Sequence, residues 1–73
     1  MNPTPEIILE YQNLLFSIAY QMTGEVATSE DVVQEVWANW IEKTTETVAN
    51  PRAYLARSVV NRSLNYLTET RRQ

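Results

Sequence analysis

The chain of 73 residues holds one small domain, since a chain of this size buries only about 60% of the surface it exposes when unfolded. It contains no Cys and no His, which removes disulfide staples, the usual zinc ligands, and nucleophile or base chemistry at Cys or His. A single Gly (Gly24) leaves no phosphate-cradling glycine loop and a single Asp (Asp31) no EF-hand, so composition argues against an enzyme and for a binding module, with no cofactor or metal expected.

The formal net charge of −3 argues on its face against a nucleic-acid partner, because phosphate binding rests on Lys and Arg. The total conceals a split. Residues 1–50 carry eight acids and one base, Lys43, for a net −7; residues 51–73 carry five arginines and one acid, Glu69, for a net +4. Such asymmetry between halves suits two electrostatic tasks, although a solvated surface with uneven sampling has the same appearance. No stretch approaches the ~20 apolar residues of a membrane span, and no signal-peptide pattern opens the chain. A cytoplasmic location without a membrane partner is therefore expected.

Asn2-Pro3-Thr4-Pro5 reads as a lead-in with Thr4 as a helix cap and Pro5 in the first turn. Ile7, Ile8, Tyr11, Leu14, Leu15, Ile18, Ala19 and Met22 then recur at helical spacing, and Gly24 terminates the run, giving a first helix over about 5–22. Leu9, Phe16 and Tyr20 fall on the opposite side of the wheel. A helix apolar on two faces is either sandwiched between two neighbours of its own domain or offers one face for docking.

The second helix is expected over about 29–43, with Thr28 and Asp31 forming a start that resembles a capping box. Val32, Val33, Val36, Trp37, Trp40 and Ile41 gather on one half of its wheel, with the two Trp as bulky core residues. The other half carries Asp31, Gln34, Glu35, Ala38, Asn39 and Glu42. Asp31, Gln34, Glu35 and Ala38 stand at i, i+3, i+4 and i+7. This face suits a partner helix that brings Lys or Arg and approaches closely over the small Ala38. Most acidic helix faces, however, are simply solvated.

Lys43-Thr44-Thr45-Glu46-Thr47-Val48-Ala49 lacks helical periodicity and reads as a loop, whose hydroxyls, with the Asn50 amide, suit either a polar connector or a pocket for an unstacked base. Asn50-Pro51 restarts a helix over about 51–70, with Asn at the cap and Pro at the first helical position. Leu55, Ala56, Val59, Val60, Leu64, Tyr66 and Leu67 form its expected inner half, and Tyr54, Arg57, Ser58, Asn61, Arg62 and Asn65 its outer arc, free of acids. Arginine supplies charge and planar stacking, asparagine reads base edges and tyrosine stacks, a mixture that suits nucleic acid. Three half-apolar helices joined by short loops predict an all-α fold, a compact three-helix bundle.

In order and spacing, YQNLLFSIAYQMTG, SEDVVQEVWANW and NPRAYLARSVVNRSLNYL resemble region 2 of the sigma-70 family, of the extracytoplasmic-function type, over about residues 6–72. The most specific pieces are Glu30-Asp31-Val32-Val33-Gln34-Glu35 with Trp37 and Trp40, and Asn50-Pro51-Arg52-Ala53-Tyr54-Leu55. The resemblance implies a promoter-recognition domain of an alternative sigma factor, acting in transcription initiation. Asp31, Gln34, Glu35 and Ala38 would then meet the β′ clamp helices of RNA polymerase. Residues 44–50, with Thr45, Thr47 and Asn50, would form the pocket region for a captured non-template-strand base of the −10 element, and Arg52, Tyr54, Arg57, Asn61 and Arg62 would contact promoter DNA. An anti-sigma protein is a further implied partner. Asn65 stands where many relatives have Asp, and residues 66–69 are less basic than the usual family ending. The expectation for residues 1–73 is a single region 2 domain, without the C-terminal −35-binding domain of complete members. The rival reading is a small helical protein-interaction module that uses only the acidic face and has no DNA role.

Overall fold

A computed structural model describes residues 5–42 and 49–72, with side chains described for residues 9–42 and 49–70. It contains α1 (Pro5–Thr23), α2 (Val26–Glu42) and α3 (Pro51–Arg72), each in contact with both others. The fold is the all-α three-helix bundle expected from the periodicity.

The corner between α1 and α2 takes two residues. Gly24 lies in the left-handed region at φ 74° and donates its N–H to the Tyr20 carbonyl at 2.8 Å, which closes the end of α1. Glu25 follows at once as the cap of α2: its carbonyl accepts the Ser29 N–H at 3.0 Å and the Ser29 hydroxyl at 2.6 Å. Helix α2 therefore starts three residues before the expected position 29. Thr28 lies in its first turn rather than at its cap, and its hydroxyl donates to Glu25 Oε1 at 3.1 Å. The Ser/Thr preference for caps pointed to Thr28, whereas the left-handed glycine had already delivered the chain into the helix at Val26.

The core consists of Leu15 and Ala19 from α1, Val32, Val33 and Val36 from α2, and Leu55 and Val59 from α3. Tyr11, Phe16, Ile18, Trp37, Trp40 and Tyr54 pack around it, half-buried. Valines thus fill the centre of the α2 seam, and the two Trp expected inside flank it. Two other positions assigned to the core stand exposed, Ile41 at 68% and Leu64 at 49%. Both lie more than about 100° around their helices from the buried stripes Ser29–Val32–Val36 and Leu55–Val59–Ser63, so the inward place beside Leu64 goes to Ser63. On α1, Phe16 turns toward the bundle and stacks on Tyr20 at 6.1 Å, while Leu9 and Tyr20 remain exposed. The second apolar face of α1 is thus covered only in part.

The two buried hydroxyls differ. Ser29 is bonded to the Glu25 carbonyl and lies 3.0 Å from the Thr23 hydroxyl, whereas the Ser63 hydroxyl has no hydrogen-bond partner. Gly24→Ala leaves open space for the new methyl but strains the left-handed backbone, and should cost about 1 kcal/mol, or roughly 4–8 °C in the thermal midpoint. Ser63→Ala removes an unsatisfied buried group and should raise stability by about 1 kcal/mol in the same melts.

Candidate protein and nucleic-acid interfaces

Helix α2 shows Asp31, Gln34, Glu35 and Ala38 to solvent on one face, because Val32, Val33 and Val36 set the opposite face against α1 and α3. Ile41 extends this outer face, at i+7 from Gln34 and i+3 from Ala38. The expected acidic surface thus includes an exposed branched aliphatic side chain. Its spacing from Gln34 and Ala38 was the available signal, overridden by its hydrophobicity.

The expected nucleic-acid residues do not share one surface. Arg57 and Asn61 are exposed on the outward face of α3, with Leu64 continuing their stripe and Asn65 beside it. Arg52 is turned toward α1, where it lines a recess of about 520 Å³ with Glu10, Tyr11 and Leu14. Arg62 is turned toward α2, where its Nη1 donates to Glu35 Oε2 at 3.2 Å. The structure therefore joins one residue of the expected polymerase surface to one of the expected DNA surface. Tyr54 is half-buried and packs its ring against Trp40, with centroids 5.8 Å apart and planes inclined by 50°. The Ser58 hydroxyl donates to the Tyr54 carbonyl at 2.9 Å and lies on the same flank.

Asn50 caps α3 as expected: its Oδ1 accepts the Ala53 N–H at 3.1 Å and its carbonyl accepts the Tyr54 N–H at 3.1 Å. The side-chain oxygen is therefore engaged, and the NH2 group is the part left for a ligand. Thr45 and Thr47, with the rest of the expected pocket segment up to Val48, lie outside the described residues.

A second cross-link in the α2–α3 seam was not expected. The Tyr66 hydroxyl donates to Glu25 Oε1 at 3.0 Å, and the Thr28 hydroxyl lies 3.1 Å from the same oxygen and 3.4 Å from the Tyr66 hydroxyl. Below it runs a groove of about 380 Å³ lined by Asp31, Glu35 and Glu69 around Arg62, together with Thr28, Val32, Asn65 and Tyr66. Glu25 and Tyr66 are 41 residues apart, and no local pattern announces their meeting.

The sequence model of the Sigma-70 region 2 family matches residues 7–73. This chain belongs to that family. It is also 50% identical over 48 residues to the ECF RNA polymerase sigma factor SigJ of Mycobacterium tuberculosis (strain ATCC 25618 / H37Rv), which places it with the extracytoplasmic-function type. That alignment covers 66% of this chain and 15% of the relative, so the chain corresponds to a small part of the protein it resembles. No solved structure matches it. Sigma factors are transcription initiation factors and not enzymes, in agreement with the expectation from composition. Among the described residues, no helix is long and apolar enough to cross a membrane.

The capping and ligand roles of Asn50 are separable. Asn50→Ala should destabilise the domain by about 1 kcal/mol in denaturant unfolding, whereas Asn50→Asp keeps the cap oxygen and should leave stability within about 0.5 kcal/mol of the parent.

Proposed function

We propose that the chain is the polymerase-binding and −10-recognising region of an extracytoplasmic-function sigma factor, a single region 2 unit that directs transcription initiation by another enzyme. The observation that carries this reading is the family match over residues 7–73, joined to the exposure of Asp31, Gln34, Glu35 and Ala38 together on one helix face. On this reading the α2 face meets a basic helix of the polymerase β′ clamp. The carboxylates pair with its Lys and Arg, and Ala38 allows close approach.

The outward stripe of α3, with Arg57 and Asn61, lies along the opened −10 element, while residues 44–50 receive an unstacked base of the non-template strand. Opening the duplex costs a few kcal/mol per base, offset by contacts to the captured base and by neutralised phosphates. Arg52 and Arg62 flank the stripe on its two sides and suit backbone phosphates rather than bases. A chain of net charge −3 holds DNA weakly by itself, so polymerase supplies most of the positive field and positions the promoter. An anti-sigma protein that covers either surface would block the same steps.

Asp31→Lys with Glu35→Lys should reduce binding to the isolated clamp-helix segment by more than about tenfold at unchanged helical content by circular dichroism; unaffected binding would overturn the polymerase assignment and favour a different partner. Arg57→Ala with Asn61→Ala should weaken capture of single-stranded −10 DNA by the assembled complex by about tenfold or more and spare clamp binding. Equal loss of both would mean that α3 had been disrupted instead.

A further inference from the structure

The Arg62–Glu35 pair connects two helices and, on the proposed function, two binding surfaces. Its partners lie 27 residues apart and are 40% and 56% exposed. A guanidinium directed at a carboxylate is engaged by the same planar geometry that recognises a phosphate, so Glu35 occupies Arg62 as a phosphate oxygen would. The surrounding groove strengthens the effect, since Asp31 and Glu69 add negative charge around the same arginine. The pair is not required to hold the seam together. Tyr66 with Glu25, and Tyr54 with Trp40, already join α2 to α3, and an exposed ion pair contributes little to stability. It can therefore open without unfolding the domain.

We propose that Glu35 holds Arg62 back from nucleic acid in the free chain, and that a basic helix docking on the α2 face draws Glu35 away and releases Arg62 to single-stranded DNA. The inference rests on the proposed function and adds a coupling between its two halves. By linkage, DNA bound at Arg62 leaves Glu35 available and strengthens docking by the same factor. Because the pair is largely solvated, that factor is at most about fivefold.

The test is a set of binding measurements on the full chain with a short single-stranded oligodeoxynucleotide. Glu35→Gln should tighten binding about two- to fivefold. Glu30→Gln removes an equal charge from the same helix away from Arg62 and should tighten it less. In an Arg62→Ala background, Glu35→Gln should have no more effect than Glu30→Gln. Equal tightening by the two substitutions, or an excess for Glu35→Gln that survives without Arg62, would overturn the coupling.

A chain that binds no oligonucleotide in any form would defeat the DNA half of the proposed function, and the coupling would then be read on the other partner. Arg62→Ala should strengthen binding to the isolated β′ clamp-helix segment beyond Arg57→Ala, which changes the charge equally without freeing Glu35. No difference between those two variants would overturn it. Glu35→Gln should weaken clamp binding while tightening DNA binding, an opposition that a purely structural role for the pair does not produce.

Discussion

The setting of α2 depends on the corner at Gly24 and Glu25. One left-handed residue ends α1 by bonding back to Tyr20, and the next residue caps α2 with its carbonyl, so the second helix leaves the turn with its rotation already defined. That rotation turns Val32, Val33 and Val36 inward and Asp31, Gln34, Glu35 and Ala38 outward. The Glu25 carboxylate then reaches across to Tyr66, so the residue that starts α2 also anchors α3. Ser29, buried beneath the corner, is satisfied by the Glu25 carbonyl and adds no unpaired polar group to the core.

The seam between α2 and α3 organises the surface. Its two ends are closed by contacts of different kinds, a tyrosine–carboxylate bond near Glu25 and an aromatic pair at Trp40 and Tyr54. Between them the acidic half of the chain meets the basic half at Glu35 and Arg62. The charge split seen along the sequence is thus incomplete in space, because the arginines of α3 radiate from the helix: Arg52 toward α1, Arg57 outward and Arg62 toward α2. A domain with only three helices has no interior in which to separate opposite charges, so neighbouring surfaces share an edge and their ligands can influence one another through it.

Much of the fold was legible residue by residue. Gly24 as terminator, Asn50 as cap with Pro51 behind it, and the apolar stripes of all three helices are local signals, and each was found where expected. The acidic face of α2 was likewise legible, because the alternation of Val32–Val33–Val36 with Asp31, Gln34 and Glu35 fixes which residues oppose the core. Ile41 and Leu64 were misassigned because hydrophobicity was taken for burial, and Ser63 took an inward position that a polar residue would not suggest. The start of α2 was misplaced because Thr28 has the chemistry of a cap without its position.

The sequence by itself determined the helices, the faces they present, the division of charge between halves and the family, since helical periodicity and motif spacing are properties of a chain taken a few turns at a time. The tertiary structure alone decided which arginines share a surface and which are drawn aside, and it brought Arg62 to Glu35 and Tyr66 to Glu25. Such contacts depend on how far two helices are rotated and shifted when their cores meet, a global packing outcome that no local pattern encodes.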